Sequence, residues 1–243
     1  MKRAVHAVCV AGLVLAVLSG AAEAELPELF YDDFDDGDFN GWEVKNAYDA
    51  GGGFVAPVVV VSPEGYAVQG VGSGYGGPTD QGSHIAHSLT ISNMRELRIE
   101  MRAKTGSGPN HVTVPLVSGF NTYYAGRIFG QADKTADYLS YIDSQDNRYR
   151  HSIGDSVFEW HTYAWTRDTD WWWSLSIDDV VIAPDFHQDD QLTSFYQIGI
   201  ELLKEQSQIE WVRISGIPEP TTLSLLALGG LAVLRRRKRR ECK

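Results

Sequence analysis

The chain has 243 residues, 43% hydrophobic and 22% charged, with 21 basic and 32 acidic side chains; that is enough apolar material for one domain with a real core. Residues 25–216 carry 12 basic and 29 acidic side chains, a net charge of −17. This excludes nucleic acid or an anionic glycan held by bulk charge, and suits a neutral polysaccharide, cations or plain solubility.

The first 24 residues read as a secretory signal. Lys2 and Arg3 form a positive start, Val8 to Leu18 is uncharged and apolar, and Ala22-Glu23-Ala24 supplies the small-x-small cleavage site. Cys9 lies inside this segment and Cys242 lies in the tail. The body, residues 25–216, therefore holds no disulfide although it is exported, and must be stabilised by core packing, with a metal ion as a further means.

Near its start the body has a dense acidic run, Asp33, Asp35, Asp36 and Asp38. Asp carboxylates with loop carbonyls are a calcium donor set; the other reading is a plain acidic turn. Gly70 to Asp80 is a Gly-rich loop without the Lys-Ser/Thr of a phosphate cradle. His84 and His87 are three apart, so on a strand they face opposite sides, and they read as scattered surface histidines rather than zinc ligands. Leu97 to Lys104 alternates cleanly, with Leu97, Ile99, Met101 and Ala103 on one face, which predicts a half-buried antiparallel strand. Further strands are expected over 111–118, with Pro115 marking an edge or a bulge, and over 123–129, 137–142, 160–166, 171–177, 195–202 and 208–214. About a dozen strands without helical periodicity predict an all-β jelly-roll sandwich.

Aromatic and polar residues in mid-chain give the ligand-binding candidates. Tyr123, Tyr124, Arg127, Tyr141 and Asp143 cluster in sequence, and Trp172 faces away from Trp171 and Trp173 on its strand. Sugar sites combine flat rings with a few fixed polar groups; the opposing reading is that these rings fill the core. Glu201 and Glu205 share a strand face by spacing and are read as a solvated strand end.

The C-terminus is patterned as strongly as the start. Pro218-Glu219-Pro220 breaks the chain, Thr221 to Leu234 is an apolar stretch of 14 residues, and Arg235-Arg236-Arg237-Lys238-Arg239-Arg240 follows. As a helix the stretch would span about 21 Å, and arginines can extend that reach. One short transmembrane helix is therefore expected over it, with the basic cluster inside and the body outside.

This composite over residues 217–243 resembles the PEP-CTERM sorting signal. The resemblance implies processing by an exosortase-type protease near Pro218-Glu219-Pro220, an inner-membrane stage with the body outside, and then delivery to the cell surface or a polysaccharide matrix. In the body, Phe30 to Trp42, the pair Glu159 to Thr166 and Trp173 to Ile182, and the closing Ile209 to Ile214 resemble concanavalin-A-like lectin and glucanase domains, whose last strand pairs with the first. That resemblance implies a structural calcium tying first strand to last, which here would use Asp33 or Asp35 with Glu210. Laminarinase-like members carry Glu-x-Asp-x-x-Glu on one strand, where acid and nucleophile sit about 5 Å apart. No Glu-x-Asp occurs in this chain. The expectation is therefore a non-catalytic domain that binds or organises extracellular polysaccharide, with no nucleic-acid partner; a glycoside hydrolase or polysaccharide lyase, and a purely structural surface protein, are the alternatives.

Overall fold

The structure, a computed structural model, describes residues 26–45, 56–71, 82–105, 110–118, 121–130, 138–143, 145, 147–153, 157–203 and 206–218. Fifteen strands follow in chain order: β1 (Glu28–Asp32), β2 (Glu43–Lys45), β3 (Val58–Ser62), β4 (Gly65–Gln69), β5 (Gly82–Ile91), β6 (Met94–Lys104), β7 (Asn110–Ser118) and β8 (Asn121–Gly130). Then come β9 (Tyr138–Ile142), β10 (Arg148–Ser152), β11 (His161–Arg167), β12 (Trp172–Ile177), β13 (Val180–Gln188), β14 (Phe195–Leu203) and β15 (Gln208–Pro218).

They form two antiparallel sheets. The larger runs β13-β12-β11-β6-β15-β4-β3, with β1 also on β15; the smaller runs β10-β9-β8-β7-β14-β5-β2. The expected closure of first strand on last is present, with Tyr31 opposite Arg213 and Asp32 opposite Val212. Between the sheets lies one apolar core, to which β6 gives Leu97, Ile99, Met101 and Ala103, as its alternation predicts. Facing them from the smaller sheet are Val112, Val114, Leu116, Ile198, Ile200 and Leu202. Trp165 and Trp173 are fully enclosed. The Trp165 indole N–H donates to the Ser140 carbonyl at 3.2 Å, tying the two sheets together without leaving a buried donor idle.

Turn chemistry sets several registers. Asp178 and Asp179 both have positive φ, 46° and 64°, in the two-residue turn that pairs Ile177 with Val180; this is the primed geometry that matches the twist of a hairpin. Pro115 marks a bulge against β8 rather than an edge, since β7 is flanked by β14 and β8. At Gly216 an added Cβ would sit 2.6 Å from the Glu96 carbonyl, so only glycine fits where β15 crosses β6.

The expected transmembrane helix is not among the elements the structure describes. The described residues contain no α-helix, and none of them forms a helix long and apolar enough to cross a membrane. The stretch Thr221 to Leu234, like the signal segment 1–24 and the residues Glu219, Pro220, Arg235, Arg236 and Arg237, lies outside the described residues. Pro218 is still strand, opposite Met94, so pairing runs into the first proline of the sorting motif.

Candidate functional site

The outer face of the seven-stranded sheet carries a polar row. On β14, Ile198, Ile200 and Leu202 point into the core, so alternation turns Gly199 and Glu201 outward. The same argument turns His111 and Thr113 outward on β7, because Val112 and Val114 are core, and Arg127 outward on β8, because Ile128 is core. Cross-strand register then lines up His84, Glu201, Thr113, Arg127, Ser140 and Arg150, each opposite the next on β5, β14, β7, β8, β9 and β10. Six strands at the usual spacing make a row roughly 24 Å long.

Its centre is a hydrogen-bonded chain. The His111 Nε2 to Glu201 Oε1 distance is 2.9 Å, and Arg127 Nη2 donates to His111 Nδ1 at 3.2 Å. Arginine is always a donor, so Nδ1 must accept; the ring proton then sits on Nε2 and is given to Glu201. Burial pushes the His111 imidazole below its ordinary range, against the pull of the Glu201 hydrogen bond. Burial also pushes the Glu201 carboxyl up, but the His111 hydrogen bond, with His84 and Arg127 nearby, outweighs it and leaves the group below the usual glutamate range. The centre at neutral pH is thus a neutral imidazole holding an ionised carboxylate. Beside it, the buried Thr113 and Ser140 hydroxyls have no hydrogen-bond partner among the described residues. Glu201 is only 9% exposed, which corrects its reading as a solvated strand end.

The predicted ligand set is scattered. Tyr123 and Tyr141 belong to the core, with the Tyr141 hydroxyl donating to Asp189. Burial, then Asp189, raises the Tyr141 phenol, while burial pushes the neighbouring Arg167 down to about 10. Asp143 caps the β9–β10 turn by accepting from the Gln145 and Asn147 amides at 2.8 and 2.9 Å. Trp172 is exposed on the opposite sheet. Tyr124 lies on the backbone of β8. Only Arg127 joins the polar row. His84 and His87 are not surface strays either: His84 stands opposite Glu201, and the His87 ring packs on Phe30 and Trp42.

The acidic run does not fit a calcium site. Asp33, Asp36 and Asp38 accept from the amides of Asp35, Asp38 and Asn40 within their own loop, which is side-chain turn chemistry. Asp35 packs against Gly65, where an added Cβ would stand 2.3 Å from its Oδ1. Glu210 is buried and bonded to Arg102 Nε at 2.6 Å, so a guanidinium supplies the positive charge there. Among the described residues no three His, Cys, Asp or Glu side chains are grouped to hold a metal ion.

Residues 216–240 match the PEP-CTERM protein-sorting motif, and the chain therefore carries the signal of an exosortase substrate, consistent with export to the cell surface. The location rests on that motif; the inner-membrane-anchored stage expected from the tail falls outside the described residues, and no described helix supports it. No curated protein matches the chain by sequence. The body shares its fold with solved glucanases. The catalytic domain of an endo-1,3-β-glucanase (laminarinase) from Thermotoga petrophila superposes with a TM-score of 0.55 at 12% identity, over 80% of this chain and 99% of that one. A β-1,3-1,4-glucanase (lichenase) from a mouse hindgut metagenome gives 0.54 at 14%, over 77% and 99%. A glycoside hydrolase family 16 endo-glucanase from Bacteroides ovatus gives 0.51 at 17%, over 76% and 99%. These likenesses establish an all-β concanavalin-A-like jelly roll. These three solved structures are hydrolases, and at 12–17% identity the likeness carries the fold and no activity, so it gives the expected non-catalytic character no support.

Proposed function

We propose that the exported body is a glycan-cleaving enzyme that acts on a neutral β-linked polysaccharide laid across the polar row, with Glu201 as its working carboxylate. The observation that carries this reading is the Arg127–His111–Glu201 chain. It keeps a carboxylate ionised in a nearly dry position at the middle of a polar face. Hydrolysis breaks the C–O bond at the anomeric carbon, joins a water oxygen to that carbon and delivers a proton to the departing sugar oxygen. An ionised Glu201 suits the water-activating part of that change and stabilises positive charge growing on the sugar ring. His111 is a positioning residue, since it acts through Glu201.

Glu43, also on the outer face, lies two strands and two residues from Glu201, about 12 Å between backbones by strand spacing and rise. The two side chains would have to reach toward each other to bring the carboxyls within the roughly 6.5–9.5 Å of an inverting pair. The body's net charge of −17 supports a neutral substrate.

Reducing-sugar release from β-1,3- and mixed β-1,3-1,4-glucans by the exported protein tests the reading. Glu201→Gln keeps the size and removes the charge, and should slow release by about a hundredfold or more, as loss of a general base does. Release by the variant at the wild-type rate, or no release by the wild type from any neutral glucan, overturns it.

A further inference from the structure

The eight-stranded sheet has an outer face of a different kind. A groove of about 720 Å³ runs over it, within the range of sites that hold small ligands. Its floor is built by three adjacent strands in register. Thr162, Arg102 and Trp211 stand opposite one another on β11, β6 and β15; Ala164, Glu100 and Arg213 form the next row; Thr166, Arg98 and Ser215 form the third.

Trp211 lines the groove, and Tyr31 lies beside it. Tyr31 and Trp211 have ring centroids 6.4 Å apart, and the Arg213 guanidinium lies 4.9 Å from the first and 5.6 Å from the second. Such cation–ring contacts fix both rings at the surface, where Tyr31 stays 40% exposed. The charges on this face are matched in the plane of the sheet. Arg98 pairs with Glu100 at 2.8 Å and Asp179 at 3.4 Å, Arg213 with Glu28 at 3.3 Å, and Arg102 with Glu64 at 3.1 Å as well as Glu210.

We propose that this groove is a second glycan site, distinct from the polar row, which takes a neutral polysaccharide chain and holds the protein on it. An anionic polymer has no uncompensated cation to meet here and is repelled by the acidic body. A cation meets Glu100 and Asp179 already bonded to Arg98, with Glu96 the lining carboxylate outside these pairs. A neutral sugar chain needs what the groove offers: a flat ring to lie on, hydroxyls from Thr162, Thr166 and Ser215, and charged groups fixed in direction by their partners. The site sits on the opposite sheet from Glu201, so a chain held there leaves the polar row free.

Co-sedimentation of the exported protein with insoluble β-1,3-glucan tests this. Trp211→Ala removes the ring and should weaken retention about tenfold, the effect of truncating an aromatic anchor. Thr166→Arg fills the groove from a partly exposed position of β11 and should do the same, so the test survives if Trp211→Ala fails to fold. Wild-type retention by both groove variants overturns the proposal, as does no sedimentation of the wild type. The two readings fail separately: sedimentation through Trp211 without any sugar release removes only the enzymatic one, and cleavage of soluble glucan with sedimentation indifferent to both groove variants removes only this one.

Discussion

His111→Leu tests the account of the polar row through stability. The imidazole gives Glu201 a hydrogen bond of 2.9 Å, and the two side chains are 4% and 12% exposed, so solvent screens the pair little. The leucine leaves the Glu201 carboxylate buried without this donor and takes from Arg127 an acceptor. A hydrogen bond to a buried charged group is worth about 1.5–3 kcal/mol. In a domain of this size each kcal/mol moves the melting temperature by about 2–4 °C, so a fall of roughly 3–12 °C is expected. Urea unfolding and thermal melting at pH 7 measure it. In a double-mutant cycle with Glu201→Leu, the double variant should lose at least about 1 kcal/mol less than the two single losses together. The pH profile follows from the same groups, which face His84 and Arg127. Both have folded-state pKa values depressed from their ordinary 6.5 and 4.5. The unfolded chain therefore binds more protons in acid, and stability is full above about pH 6.5 and falls as the solution is acidified. His111→Leu removes the part of that fall that begins near pH 6.5. A loss under about 1 kcal/mol, or an unchanged acid profile, refutes the neutral-imidazole, ionised-carboxylate description.

Four other outcomes are expected. Arg102→Met strands the buried Glu210 carboxylate and should cost about 3 kcal/mol in urea unfolding; the wild-type melting temperature should be indifferent to calcium and to chelator, and a rise with calcium would refute the turn reading of the acidic run. Gly216→Ala forces a methyl to within 2.6 Å of the Glu96 carbonyl and should lose about 1–3 kcal/mol by calorimetry. Deletion of residues 219–243 removes most of the sorting motif but no described strand; cell fractionation should show surface delivery abolished, while the body melts at its normal temperature.

Elements with a strong local signal were legible. β6 alternates because one face meets the core, and β15 ends at Pro218, the first proline of the motif. β3 is not legible: Val58 to Val61 is an unbroken apolar run, and as an edge strand it leaves Val61 81% exposed, so no period marks its faces. The aromatic cluster misled for a related reason. Tyr123 and Tyr141 are as able to fill a core as to bind a sugar, and composition does not say which side of a sheet a ring occupies.

The sequence by itself determined the all-β class, the absence of a disulfide from the body and the sorting motif, because each is written in contiguous residues whose spacing is their meaning. The tertiary structure alone decided the site. Glu201, His111 and Arg127 lie on three strands, with 90 residues separating the first two. Nothing local relates them until antiparallel register sets Glu201 opposite Thr113 and Thr113 opposite Arg127. A one-residue slip in any of those strands would turn its polar side chain into the core, so the row exists only through long-range pairing.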